Sequence, residues 1–388
     1  MRNKNILFHK THIGQEEIDA VVEAMKSGWV TMGPKTIEFE RVFSEYIFKN
    51  TDNQILLNTD FLHSVSCNSA TAALHLALKA IGLKKDDEVI LPTNTFIATA
   101  EVVGYFDAKP VLCDVEYDTH NIDCSKIEAL ITPKTKAIMP VHFAGQPCDM
   151  DKIIQIAKKH NIKIIEDAAH ALPSKYKGQL VGQIGDITCF SFYATKTLST
   201  GEGGMAVTKN PDFAKSMRIN RLHGISRDAW DRYTSKGSWF YEVVDNGYKY
   251  NTTDLNSALG IVQLKKLEWM KEQREKIANR YNEAFEKIDH VVTPFIKEDR
   301  ETSWHLYVIK VSNRNEFIEN LKKEGVNASV HFIPVHKQPY YKNKYNYQDS
   351  DYPVANKVYE ESVSLPIYPD LSEDDLEYII EKVIKYAK

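Results

Sequence analysis

The sequence has no apolar run long enough to cross a bilayer. Its first ten residues, Met1 to Lys10, carry charge where a secretory signal would carry an apolar core. The expectation is a cytoplasmic protein with no membrane partner. Cysteine is scarce, five in 388 residues, and Cys67, Cys113, Cys124, Cys148 and Cys189 form no Cys-x-x-Cys pair. That excludes zinc-ribbon spacing and argues against a disulfide framework, leaving small buried hydrophobes in a reducing compartment. His9, His12, His331 and His336 fall at no metal-ligand spacing, so no metal is expected. Neither sign of charge dominates: 49 basic residues stand against 53 acidic ones, with no basic stripe, so nucleic acid is not expected as a partner. A Ser-His-Asp order and a nucleophile-elbow glycine pattern are also missing, which removes the common hydrolases. Asn251-Thr-Thr matches a glycosylation triplet, but without a secretion signal the match is read as chance.

With 43% hydrophobic residues the chain can bury a large core, and its length suits two domains. Between about 64 and 210, short β-branched runs alternate with helical stretches. The runs are Val65-Ser-Cys67, Glu88–Leu91, Pro110–Val115, Ala137–Val141 and Ile162–Glu166, and the intervening segments include Thr71–Ile81, Thr95–Tyr105 and Asp149–His160. This is the pattern of βαβ units and a mostly parallel α/β sheet, whose ligands collect at the carboxyl ends of the strands. Thr253 to Asp289 reads as one long amphipathic helix with Asp254 as its cap. Trp304–Val311, Glu316–Glu324, Val330–His336 and a terminal helix Glu373–Ala387 suggest a smaller α+β domain. The division expected is 1–250 for the large domain, whose N-terminal segment can pack on the small one, and 251–388 for the small domain with its connecting helix. Asn50–His63 is polar and reads as an inserted loop or hairpin.

Two residues carry the chemistry. Asp167 ends a strand, and Lys196 follows in Ser191-Phe-Tyr-Ala-Thr-Lys196-Thr-Leu-Ser-Thr-Gly-Glu-Gly-Gly204. Pyridoxal phosphate needs an amine to condense with its aldehyde and a carboxylate to keep its pyridine nitrogen protonated. Asn68-Ser-Ala-Thr71 opens a strong helix whose first N–H groups suit a phosphate, or make an ordinary N-cap. Phe96 can stack on the cofactor ring or pack in the core. His170 can lie along the cofactor edge or be a hydrogen-bonded interior histidine. Gly201-Glu-Gly203-Gly-Met-Ala206 also matches the dinucleotide pattern G-x-G-x-x-A, but it leads into the strand-like Met205–Thr208, where that fingerprint requires a helix.

Over nearly its whole length the chain resembles the DegT/StrS-type sugar aminotransferases, a branch of the fold-type-I pyridoxal-phosphate enzymes. The likeness runs through Ser27–Pro34, Asn68–Thr71, Ile131–Gly145, Glu166–Ala171, the Lys196 run, His223-Gly224, Gly247–Asp254, Pro334-Val-His336 and Leu365–Pro369. The Ser27–Thr31 run and Tyr248–Asn251 resemble most the branch that makes UDP-4-amino-4-deoxy-L-arabinose. The resemblance implies that Lys196 bonds the cofactor, Asp167 faces the pyridine nitrogen, and His170 lies beside the ring oxygen. It further implies that Ala70, Thr71 and Ser191 hold the phosphate, and that the neighbouring subunit's Gly247–Asn251 segment completes the phosphate site in a homodimer with shared active sites. Much of the family has Asn-Tyr-Arg where this chain has Lys249-Tyr-Asn251, so either Lys249 or Asn251 would reach the phosphate; Phe96 stands where the arabinose enzyme has tryptophan.

The reaction expected is transamination from L-glutamate, released as 2-oxoglutarate, to a nucleotide-linked keto-sugar at C4, with C3 open. Its setting would be surface-polysaccharide, lipopolysaccharide or amino-sugar biosynthesis. A dehydratase of the same fold replaces the lysine, and Lys196 is present. A cofactor-binding DNA regulator would need a basic helix-turn-helix segment, which is missing. His331, His336, Lys249 and the Trp230–Tyr241 stretch are candidates to face the sugar, and each is equally explained as packing or rim.

Overall fold

A computed structural model describes residues 5–49, 63–226 and 240–388. Most of the expected 50–63 insertion and most of the Trp230–Tyr241 stretch lie outside the described residues.

The β-branched runs form strands of one seven-stranded sheet. In chain order the strands are β1 (His63–Cys67), β2 (Glu88–Pro92), β3 (Lys109–Cys113), β4 (Thr135–Ile138), β5 (Lys163–Asp167), β8 (Ile187–Ser191) and β9 (Gly204–Thr208), with the short pair β6 (Lys175–Tyr176) and β7 (Gln179–Leu180) lying outside this sheet. The sheet order is β1-β9-β8-β5-β4-β2-β3, and only β9 runs against the rest. Its inner strands are buried throughout, for example Ile187–Phe190 and Gly204–Thr208, as a sheet covered on both faces requires. Because β1, β2, β5 and β8 are parallel, Cys67, Pro92, Asp167 and Ser191 all end at one edge. Antiparallel β9 begins at that same edge with Gly204. The connections leaving these ends therefore converge there, and Lys196 sits on the one between β8 and β9.

The long helix is observed at Asp254–Phe285, and its cap differs from the expected one. Thr253 Oγ1 accepts from Asn256 N at 3.2 Å, so Thr253 is the cap. Asp254 is buried and caps another helix, Pro34–Lys49: its carboxylate accepts from the N–H groups of Gly33, Lys35 and Thr36 at 2.7–3.0 Å and from Thr36 Oγ1 at 2.7 Å. An aspartate at a helix start satisfies orphan donors of whichever helix end lies closest. Here that end belongs to another helix more than 200 residues earlier in the chain.

Beyond the long helix, β10 (Arg300–Glu301) pairs with β6, and β11 (Tyr307–Lys310) pairs antiparallel with β12 (Ser362–Leu365). Tyr281, Tyr307, Ile309, Phe317, Val363 and Ile379 build a second core, which Ile6 from the N-terminal segment joins. Val335, Tyr341, Tyr347, Tyr352 and Ala355 pack instead on the core of the large sheet. Val330–His336 forms no strand; it crosses from a bridge at Ser329–Ser364 to the large sheet, where Val335 N donates to Thr93 O at 2.8 Å. All five cysteines are buried and free. No helix among the described residues is long and apolar enough to cross a membrane.

Candidate active site

The converging strand ends enclose a cavity of about 490 Å³, in the range of small-molecule and cofactor sites. Ala70, Thr71, Phe96, Asp167, His170, Ser191, Lys196 and His331, all singled out from the sequence, line it.

Asp167 ends β5 and is buried. Its Oδ2 accepts from Thr99 Oγ1 at 2.8 Å and its Oδ1 from Ala169 N at 3.1 Å. Burial raises its pKa against the pull of those donors, and it makes no ion pair among the described residues. Lys196 is half-buried, and burial lowers its amine from 10.5 to about 8, with Asp167 opposing the shift. The loop holding it is pinned from several directions. His9 Nε2 and Thr11 Oγ1 reach Ala194 O at 3.0 and 2.7 Å, Thr197 Oγ1 donates to Leu172 O, and Lys196 N donates to Tyr193 O at 2.9 Å.

Ala70 begins the helix Ala70–Ala80. Ser69 Oγ accepts from Ala72 N at 3.1 Å and Ser69 O from Ala73 N, so the N–H groups of Ala70 and Thr71 are the ones left without an acceptor among the described residues. Gly204 packs tightly on this turn, since a Cβ there would lie 2.4 Å from Ser69 C and O. The open N–H pair, Ser191 and the adjoining Gly203 form a cradle suited to a phosphate.

His170 Nδ1 accepts from Ala144 N at 3.3 Å, which leaves the proton on Nε2, and burial holds the ring neutral. His331 Nδ1 bonds Ser364 Oγ at 2.8 Å, and its ring stacks 5.4 Å from Phe8. His336 does not reach the cavity. It is fully buried between Thr93 Oγ1, 2.7 Å from Nδ1, and Asn356 Oδ1, 2.9 Å from Nε2, which corrects its expected place at the substrate. Lys249 and Asn251 lie outside this chain's cavity as well. Lys249 Nζ donates to Asn251 Oδ1 at 2.7 Å, and the neighbouring Tyr250 O accepts from Asn68 N at 2.8 Å. Sequence reasoning missed Phe8, His9, His305 and Phe332, which line the cavity from the N-terminal segment and the C-terminal part. It also missed Thr99, although Thr95 and Thr99, four residues apart just after a strand, were a visible pair of hydroxyls at the sheet edge. No cluster of residues able to hold a metal occurs among the described residues.

The donor set fits pyridoxal phosphate. A buried carboxylate with no ion pair among the described residues, an amine of depressed pKa and an open pair of helix N–H groups share one cavity. The family model for the DegT/DnrJ/EryC1/StrS aminotransferases matches residues 11–384. SpsC of Bacillus subtilis, a spore coat polysaccharide biosynthesis protein, is 46% identical over 394 residues, covering 100% of this chain and 98% of that protein. Among solved structures, Spr1654 of Streptococcus pneumoniae, assigned as a sugar aminotransferase, superposes in its PLP form with a TM-score of 0.89 at 36% identity over 98% of each chain. Helicobacter pylori PseC, an aminotransferase of pseudoaminic acid biosynthesis, superposes with a TM-score of 0.88 at 28% identity over 99% of each chain. Site chemistry, α/β architecture and whole-length similarity agree: the chain belongs to the DegT/DnrJ/EryC1/StrS aminotransferase family of pyridoxal-phosphate-dependent sugar aminotransferases.

Proposed function

We propose that the protein moves the amino group of L-glutamate to C4 of a nucleotide-linked 4-keto-sugar, as a homodimer whose subunits complete each other's sites. The observation that carries this reading is the meeting of Asp167 and Lys196 in one cavity beside the open helix start at Ala70–Thr71. Bound pyridoxal phosphate supplies the carbonyl that captures the donor's nitrogen and the ring that takes up the electron pair released at the donor's α-carbon. Asp167 holds the positive charge of the pyridine nitrogen. Ala70 N, Thr71 N and Ser191 bind the phosphate, with Lys249 and Asn251 of the partner subunit completing it. Phe96 would pack against one face of the cofactor ring, and His170 Nε2–H would donate at its oxygen edge. Lys196 Nζ takes the proton from the donor's α-carbon and delivers one to the sugar carbon in the second half of the cycle. Phe8, Phe96 and Phe332 give that exchange an apolar wall.

The setting in polysaccharide synthesis is supported by SpsC, and a sugar acceptor by PseC. The test is a panel of 4-keto and 3-keto sugars, each with and without its nucleotide, offered with glutamate, with mass detection of the amino product. Amination confined to 3-keto substrates, or to sugars lacking a nucleotide, would overturn the substrate assignment. Turnover by Lys196→Ala would overturn the mechanism.

A further inference from the structure

One wall of the cavity carries positive character that no acid among the described residues answers. Arg274, on the long helix, is fully buried. It makes no ion pair among the described residues. Its Nη1 donates to Trp304 O at 3.3 Å and Ile367 O at 2.8 Å, while its Nε is enclosed without a partner. Both carbonyls belong to the cavity wall or adjoin it, since Ile367 lines the cavity and Trp304 precedes His305, which also lines it. His305 is 5% exposed, with its ring 4.3 Å from that of His170. Its Nδ1 is likewise enclosed and unpartnered. An orphaned lone pair costs less than an orphaned N–H, so the neutral ring places its proton on Nε2, the nitrogen left for a ligand. The acids lining the cavity, Asp167 and Glu202, pair with neither group.

A buried guanidinium without a counter-anion is unstable relative to the same site with an anion beside it. Every amino donor brings a carboxylate into this cavity. We propose that His305 and Arg274 form the carboxylate end of the amino-donor subsite, with His305 Nε2–H donating to a carboxylate oxygen. Arg274 is then a positioning residue: it fixes the Trp304 and Ile367 carbonyls and supplies the charge that draws the anion in. The proposal rests on the transamination reading above, but not on glutamate being the donor.

The two halves of the cycle separate the possibilities. The cofactor band of the holoenzyme is titrated with L-glutamate, and with glutarate as an unreactive competitor. The amino-loaded form is then mixed with the keto-sugar. His305→Ala is expected to need about ten- to a hundredfold more glutamate, the loss of a hydrogen bond to a charged group, and to lose more in this half than in the sugar half. Arg274→Met is expected to follow it, with Arg274→Lys recovering part of the loss. Because Arg274→Met removes core hydrogen bonds and can fail to fold, His305→Ala decides. An unchanged glutamate titration, or equal losses in both halves, overturns the proposal. If wild-type protein answers to another amino acid and not to glutamate, the donor assignment fails, and the same comparison made with that amino acid decides the subsite. A band untouched by every amino acid would overturn both.

Discussion

Thr99 Oγ1 donates to Asp167 Oδ2 at 2.8 Å, inside the fold, four residues after Thr95. A hydroxyl has one proton, and Thr95 Oγ1, 2.7 Å from Thr99 Oγ1, supplies the donor that Thr99 then lacks. The relay delivers a hydrogen bond to a carboxylate whose pKa burial already raises. Without it, Asp167 would protonate more readily and hold the pyridine nitrogen less well. Thr99→Val should weaken cofactor binding and lower kcat by about tenfold each, the worth of one hydrogen bond to a charged group. Thr99→Ser should restore both. Equilibrium dialysis against pyridoxal phosphate and steady-state kinetics are the measurements; a valine variant equal to wild type in both would refute the role.

Lys196 is held at a cost to the fold. Its folded pKa, about 8, lies below the 10.5 of the unfolded chain, so between those values the unfolded state binds the extra proton. The penalty is full below about pH 8 and fades as pH rises toward 10.5. It amounts to about 3 kcal/mol at neutral pH. Apoprotein carrying Lys196→Met should therefore be more stable than wild-type apoprotein at pH 7, by up to that amount, and the gap should close by pH 10.5. Urea unfolding at both pH values checks it, and a gap independent of pH would contradict it. Capture of pyridoxal phosphate by the wild-type apoprotein should speed up as pH rises through about 8.

What was legible in the sequence follows from where the information lies. The sheet-edge chemistry of Asp167, Lys196 and the Asn68–Thr71 turn was readable because each depends on short-range pattern: a strand ending, a hydroxyl-and-glycine loop, a helix start. The parallel sheet then brings the three together for topological reasons. Phe8, His9 and His305 were not readable, because they reach the cavity through long-range packing that leaves no local pattern. Asp254 and His336 mark the same limit. Each looked local, a cap and a site histidine, and each is satisfied by partners more than 200 residues away in one direction.

Gly204 tests the phosphate cradle without removing a polar group. An added Cβ would meet Ser69 C and O at 2.4 Å and Ala70 N at 2.6 Å, all backbone atoms that cannot turn aside. Gly204→Ala should push the helix start away from β9, costing about 1–3 kcal/mol of stability, as overpacking does. Cofactor affinity should fall as well, since the open N–H groups of Ala70 and Thr71 lie on the displaced turn. Gly201, with nothing within 4 Å of its added Cβ, offers a comparison for the cradle. Its positive φ of 77° makes Gly201→Ala strained, yet that variant should lose far less cofactor affinity. Equal affinity losses in the two variants would remove the special role of the Gly204 contact.

His75 gives the last prediction, about acid stability. It is buried among the rings of Tyr105, Phe106, Tyr248 and Tyr250, with only Tyr250 Oη, at 3.1 Å, on its Nδ1. Burial lowers its pKa from 6.5 to about 4, and His120 is lowered in the same way to about 3. The unfolded chain therefore takes up these protons first as pH falls. Stability is intact above pH 6.5 and is lost below it, by about 1.4 kcal/mol per pH unit for each histidine until its folded pKa is reached. His75→Phe keeps an aromatic ring in the cluster and removes the titration. It should cost about 1 kcal/mol at pH 7, for the lost hydrogen bond, and then lose less stability than wild type between pH 6.5 and 4, so that the two curves cross. Parallel curves over that range would show that His75 is not protonated on unfolding.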